Sequence, residues 1–309
     1  MTISYSPGWT ASIREVVIGA TAAEGGTRRI SYRIGGESDL PCIGSGRKPL
    51  IAFEICDDPA LWPDVIRSAC TKLVDNPPAW AAYVDTTLQA DLIRLNLTST
   101  RRRNFDAYDA VSKTVIAVLQ ATSLPLIIEG SADADIDSEV FQRCGEAGEK
   151  EKLVLGTAEA ARYRSVAAAA IAYGHSVIAQ SPIDVNLAKQ LNILLREAGV
   201  PDDRILIDPY TGALGYGFEY TYSTMERIRF AALKGDGDLA MPMICAPSDT
   251  LTIKEVRAAV HSHETAVSWE VATAVAAALA GATILVVRHP GSLAPLRTAI
   301  DSLWKEEVA

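Results

Sequence analysis

HSVIAQSPIDVNLAKQLNILLREAGVPDDRILID, residues 175–208, holds a whole strand-helix-strand unit and sets the period for most of the chain. The runs HSVIAQ (175–180) and RILID (204–208) are short and almost continuously apolar, as strands covered on both faces must be. Between them Ser181 reads as an N-cap, Pro182 as a first-turn proline and Asp184 as an acid favoured by the helix dipole. Leu187, Leu191, Leu194 and Ala198 fall on one predicted buried face, and Gly199 with Pro201 ends the helix.

The unit recurs. PLIAFEIC (49–56), ADLIRLNL (90–97), LPLIIEG (124–130), KLVLGT (152–157), MPMIC (241–245) and TILVV (283–287) bring the strand count to eight, with starts about 33 residues apart. After RILID, Ser223 and Glu226 have capping-box spacing, and Met225, Ile228 and Ala232 form an apolar stripe. Eight such units, without a dinucleotide fingerprint in the first strand-to-helix turn, predict an α/β fold: a closed (β/α)8 TIM barrel over residues 49–309. Residues 1–48 differ. IREVVIGA (13–20) and TRRISYRIGG (27–36), split by Glu24-Gly25-Gly26, predict an antiparallel hairpin serving as an arm or barrel cap without its own core.

At 309 residues, 49% hydrophobic and 22% charged, the chain can build a substantial core, which excludes disordered and collagen-like classes. A net charge of −9 has the wrong sign for nucleic-acid phosphates or anionic lipid, so neither nucleic acid nor membrane is an expected partner. The five cysteines, at 42, 56, 70, 144 and 245, have no clustered spacing. They read as small buried residues of a cytoplasmic protein, unable to hold an iron-sulfur cluster. The amino terminus lacks a secretory pattern, and the uncharged stretch Val271 to Val287 divides at Gly281 into a predicted packed helix and a buried strand.

In such a barrel chemistry belongs at the carboxyl ends of the strands. The residues there are Asp57, Asn96, Thr98, Glu129, Thr157, Gln180, Ser181, Asp208, Cys245, Arg288 and His289, mostly single acids and neutral hydrogen-bonding groups. This set favours binding over bond-making, and no catalytic or metal-ligating residue is assigned. The densest feature is DPYTGALGYGFEYTYS, Asp208 to Ser223. Gly212, Gly215 and Gly217 permit close backbone approach, and Tyr210, Tyr216, Phe218, Tyr220 and Tyr222 are five of the chain's 20 aromatic residues. Such a surface suits a large planar ligand or a partner protein; a loop packed on itself is the alternative. His261 and His263, two apart on a predicted helix, face different ways, which leaves His289 on the rim. Arg101, Arg102 and Arg103 read as a solvated loop, with anion or partner contact as the sharper option.

The stretch Ser181 to Leu233, with its PID-N-AKQLNILL and IDP-TGALGYG-EYTYS-MERIR blocks, closely resembles the small subunit of the corrinoid iron-sulfur protein. This is the delta-subunit family of the archaeal acetyl-CoA decarbonylase/synthase complex. IGATAAEGGTRR (18–29), DLPCI (39–43), IAFEICD (51–57), Trp62-Pro63-Asp64-Val65, ADLIRL (90–95), LGTAE (155–159) and VVRHP (286–290) extend the resemblance over nearly every unit. It implies a TIM barrel paired with a large (gamma) subunit that carries the iron-sulfur cluster and most of the corrinoid grip, the cobamide lying between the chains. The pair would take a methyl group from a methyl-tetrahydropterin methyltransferase to the nickel centre of acetyl-CoA synthase/CO dehydrogenase. Expected corrinoid contacts are Asn96, Gln180, Ser181, Asp208, Tyr210, Thr211, Gly212, Gly215, Tyr216 and Gly217.

Three segments depart from the family pattern: Pro41 to Lys48 is short, Thr157 stands where an Asn is common, and APSDTLTIKEV (246–256) diverges. Two alternatives therefore stand beside the leading reading. One is a pterin-dependent methyltransferase using Asn96 and Asp208, weakened by Thr157. The other is a scaffold subunit without corrinoid contact.

Overall fold

The computed structural model describes residues 8–41, 47–259 and 262–304. Eight parallel strands close into a barrel: β3 (Leu50–Cys56), β4 (Leu92–Asn96), β5 (Leu126–Glu129), β6 (Val154–Ala158), β7 (Ser176–Gln180), β8 (Ile205–Asp208), β9 (Met243–Cys245) and β10 (Ala282–Val287). Each neighbour in sequence is a neighbour in the barrel, and β10 closes it on β3 with Val286 opposite Ala52. All eight runs expected from sequence are strands.

The helices alternate with them as α1 (Asp64–Ala69), α2 (Pro77–Tyr83), α3 (Tyr108–Ala121), α4 (Ala134–Ala147), α5 (Tyr163–Tyr173), α6 (Val185–Glu197), α7 (Phe218–Leu233), α8 (Lys254–Ala258), α9 (His263–Ala280) and α10 (Leu293–Leu303). Outward strand residues such as Phe53, Leu95, Ile128, Leu155 and Ile207 pack with the helices in one large core. Inward residues Ala52, Leu92, Ile127, Val154, Ile178, Leu206, Ile244 and Ile284 fill the barrel itself. The stretch Val271 to Val287 divides as expected: Gly281, in the left-handed region, ends α9 and β10 follows. Among the described residues no helix is long and apolar enough to cross a membrane.

The hairpin is present, β1 (Val16–Ile18) running antiparallel to β2 (Tyr32–Ile34). It plugs the amino end of the barrel: Val16, Ile18 and Ile34 join the interior apolar cluster. Backbone bonds from Gly19 to Lys152 and from Arg29 to Ser123 tie it to the starts of β6 and β5. Arg28, nearly buried, meets Glu151 and donates to the carbonyls of Leu119, Thr122 and Leu124, which satisfies a guanidinium that burial would otherwise penalise. The opposite end is left for function.

Three local expectations are corrected. Ser181 does not cap α6; its N–H still follows the strand ladder to the carbonyl of Asp208, and Asp184 accepts from Asn186 and Leu187 N–H instead. The buried stripe is accordingly rotated to Ala188, Leu191, Asn192 and Leu195, while Ala198 is exposed. Asn192 is tolerated there because its amide donates to the Asp238 carbonyl. Ser223 and Glu226 form no capping box, since α7 already starts at Phe218 behind Gly217, although Met225, Ile228 and Ala232 are buried as expected. Cys42 and His261 lie outside the described residues. The other four cysteines are free and buried, and burial pushes each of their thiols up, away from thiolate character.

Candidate functional site at the barrel mouth

Alternation along the strands places a charged layer directly above the apolar interior. Two residues beyond Ala52, Leu92, Ile127, Ile178, Leu206 and Val286 come Glu54, Arg94, Glu129, Gln180, Asp208 and Arg288. Glu54 is the hub. Its Oε1 accepts from Asn96 Nδ2 at 2.7 Å and Arg288 Nη2 at 3.0 Å, and its Oε2 from Ser248 Oγ at 3.0 Å. Arg94 Nη1 stands 4.0 Å from Glu54 Oε2, and its Nη2 is bonded to Glu129, which also takes Arg101 at 3.1 Å. The Arg288 guanidinium lies 4.5 Å from the Trp62 ring centre.

These contacts set the charge states. Burial opposes ionisation of Glu54, but Arg288, Arg94 and Asn96 outweigh it and hold the pKa at about 2. For Asp208 burial prevails and its pKa is raised, despite hydrogen bonds from Gln180 Nε2 at 2.8 Å and Tyr210 N–H at 2.8 Å. The layer is therefore a closed network with its donors and acceptors mostly spent on one another. Asn96 Oδ1 and the Nε atoms of Arg94 and Arg288 are buried without a partner among the described residues.

Above this floor lies the glycine-aromatic loop, resting on β8 and the start of α7. Its base is pinned: Thr221 Oγ1 bonds the carbonyl of Tyr210 and the N–H of Gly212, and Thr211 Oγ1 takes the N–H of Ala246. Gly212 is required by close approach, since a Cβ there would lie 2.9 Å from the Gly217 carbonyl carbon. A Cβ at Gly215 would meet nothing within 4 Å, but its φ of +74° is one that favours glycine. Phe218 is buried and packs edge-on with half-buried Tyr222, so self-packing accounts for two of the five aromatics. Tyr210, Tyr216 and Tyr220 are 47%, 51% and 63% exposed, with the Tyr216 hydroxyl held by Glu255.

The arginine run is partly absorbed by structure, Arg101 pairing with Glu129 and Arg102 with Asp58. His289 does not stand alone: His263 Nδ1 lies 3.0 Å from its Nε2. His175 is a packing residue, accepting from Leu153 N–H and bonding the Gly145 carbonyl.

With that geometry in place, comparison with known proteins is decisive for the family. The family described as CO dehydrogenase/acetyl-CoA synthase delta subunit matches residues 15–300. The chain belongs to this family. It is 34% identical over 313 residues to acetyl-CoA decarbonylase/synthase complex subunit delta 1 of Methanosarcina thermophila, covering 96% of this chain and 72% of that one. It is 33% identical over 317 residues to subunit delta of Archaeoglobus fulgidus, covering 97% and 70%. Among solved structures, dihydropteroate synthase of Coxiella burnetii in complex with pteroic acid superposes with a TM-score of 0.61 at 16% identity, covering 95% of this chain and 97% of that one. Dihydropteroate synthase of Xanthomonas albilineans gives 0.59 at 18%, covering 88% and 95%. At these identities the likeness is one of barrel fold.

Within this delta-subunit barrel the ten residues singled out from sequence divide by depth. Tyr210, Gly215 and Tyr216 are exposed on the rim; Gly212, Gly217 and Gln180 are half-buried; Asn96, Ser181, Asp208 and Thr211 are buried beneath. Asn96 and Asp208 do share the mouth, but the Asn96 amide is committed to Glu54 and Asp208 to Gln180 and Tyr210. Thr157 is also engaged, taking Arg162 at 3.0 Å. Sequence reading missed Glu54 and Arg94 because both lie inside apolar runs; the period-two alternation with Ala52 and Leu92 was the available signal.

Proposed function

We propose that this chain is the small, noncatalytic half of a heterodimeric corrinoid iron-sulfur methyl carrier in the cytoplasm. Its barrel mouth covers a cobamide held mainly by the large subunit. The pair then serves a methyl-tetrahydropterin methyltransferase on one side and acetyl-CoA synthase/CO dehydrogenase on the other. The observation that carries the reading is the two-level mouth. A self-neutralised floor lies under an open rim with three tyrosines, 47–63% exposed, around an unobstructed Gly215.

The residues fit such a group. A corrin is a broad macrocycle edged with amide side chains, and exposed phenol rings offer it flat apolar faces together with hydroxyls. Tyr210, Tyr216 and the Gly215 to Gly217 backbone would hold it, and Tyr220 extends the same surface. The buried members, Asn96, Ser181, Asp208 and Thr211, would support the loop from below. When bound, the cobalt supplies the methyl-carrying centre. The chain's own part is to position the rim, exclude water above the floor and present a complementary surface to the large subunit.

Co-expression with a large subunit and purification through a tag on that subunit tests this. The expected product is a stoichiometric pair with corrinoid and iron-sulfur absorption. Gly215→Trp should lose pairing or corrinoid while the barrel keeps its circular dichroism and melts no lower than the left-handed backbone penalty at this position requires, with Gly215→Ala as the reference. Full retention of both by that variant would refute the assignment of the loop.

A further inference from the structure

The corner where β10 turns into α10 is gripped by α9 at two points. Glu270 accepts the N–H of Arg288 at 2.7 Å and of His289 at 3.1 Å, one on each carboxylate oxygen. His263, the first residue of α9, reaches His289 with 3.0 Å between Nδ1 and Nε2. His289 is 5% exposed, whereas His263 is on the surface.

The position of the shared hydrogen follows from the far side of His289. Gly291 N–H donates to His289 Nδ1 at 3.0 Å, so that nitrogen presents a lone pair. A neutral imidazole then carries its hydrogen on Nε2, where it donates to His263 Nδ1. His263 must accept there and keep its own hydrogen on Nε2. One pair of tautomers satisfies every contact, and both rings are neutral in it. A proton added to His263 fills the accepting lone pair and sets N–H against N–H; one added to His289 opposes the Gly291 N–H.

We infer that His263 and His289 form a pH-sensitive latch, closed while both rings are neutral and released when His263 is protonated, tying the amino end of α9 to the strand end that carries Arg288. Two carboxyls at the same corner also titrate in the range tested below. Burial raises the pKa of Glu270, which holds the backbone N–H groups, to about 7, and that of Asp249, which with Glu54 faces the Arg288 guanidinium, to about 6. The His263→Gln variant separates the latch from both. Burial, then the charge of His263, lowers the His289 pKa to about 4, so His289 itself stays neutral through that range.

The test uses the full chain with 15N-labelled histidine, each signal assigned by single substitution. At pH 7.5 long-range proton-nitrogen spectra should show both His263 and His289 as Nε2–H tautomers. On acidification to pH 5.5, amide exchange in the first turn of α9, corrected for its intrinsic pH dependence, should rise roughly fivefold, the factor for losing one hydrogen bond. His263→Gln, a surface change that cannot titrate, should abolish that rise. An Nδ1–H tautomer on either ring at pH 7.5, unchanged protection at pH 5.5, or a rise that persists in His263→Gln would overturn the latch.

Discussion

Replacing Glu54 tests whether the floor of the mouth is one electrostatic unit. The carboxylate is fully buried and is the direct counter-charge of Arg288, with Arg94 4.0 Å away; both guanidiniums are themselves under a tenth exposed. Glu54→Leu keeps the volume close but leaves Arg288 without its nearest acid and strips Asn96 and Ser248 of their acceptor. Breaking a buried pair by removing one partner costs about 3–5 kcal/mol. With a urea m-value of about 3 kcal/mol/M, the midpoint should fall by roughly 1–1.7 M at unchanged slope. Glu54→Leu/Arg288→Leu should cost less than the sum of its single changes by about 1–3 kcal/mol, because the second substitution removes the orphaned charge. Acid provides an independent check. The folded pKa of about 2 lies below the ordinary 4.5, so this group's stabilisation is present above pH 4.5 and is lost as pH falls from there toward 2. Glu54→Gln should lack that loss. A midpoint shift below about 0.3 M for Glu54→Leu, or strict additivity in the double variant, would refute the idea of a coupled floor.

The remaining predictions concern the helix corners and the loop. Glu270 has its pKa raised by burial from 4.5 to about 7, so between these values the folded state keeps a proton the unfolded chain has released. Stability relative to Glu270→Gln should therefore fall by about 1–3 kcal/mol as pH rises from 4.5 to 7, as read by urea unfolding at several pH values. His289 contributes the opposite slope between pH 4 and 6.5, which His289→Gln should remove. Gly212→Ala forces a Cβ against the Gly217 backbone and should disorder the rim, seen as faster proteolysis there. Gly215→Ala should cost only the left-handed backbone penalty of about 1–2 kcal/mol. Asp184→Ala removes the cap of α6 and should cost about 1 kcal/mol in thermal unfolding.

How much of this was legible from sequence depends on which interaction is local. The strands were readable because a parallel barrel strand is apolar on both faces, and RILID or TILVV admits no competing period. The start of α6 was not, because Ser181 and Asp184 are both good caps. The choice was made by the tertiary bond from Ser181 N–H to the Asp208 carbonyl, which no local rule sees. Asn96 and Asp208 stood at the ends of apolar runs and so drew attention. Glu54 and Arg94 were harder to see, since a charge inside an apolar run shows only through its period-two alternation with Ala52 and Leu92, and its partner lies on a neighbouring strand far off in the sequence. The His263–His289 contact failed for the same reason, 26 residues of helix and strand separating its partners.

The two levels of the mouth imply that damage to each has a different signature. Floor residues spend their polar groups on one another, so losing one leaves an unpaired charge inside the barrel and the cost appears as lost stability before any ligand is present. Rim residues spend little on the fold: Tyr210, Tyr216 and Tyr220 leave much of their ring area to solvent, and Gly215 faces open space. Loss of the three tyrosine rings should leave the melting temperature nearly unchanged and appear only against a partner. A surface of exposed aromatic rings over a rigid, self-satisfied support is costly to keep unless something covers it, because apolar area left in water forfeits about 25 cal/mol for each Å². Membership of a complex-subunit family implies partner subunits, and the proposed covering of the rim would offset that exposure.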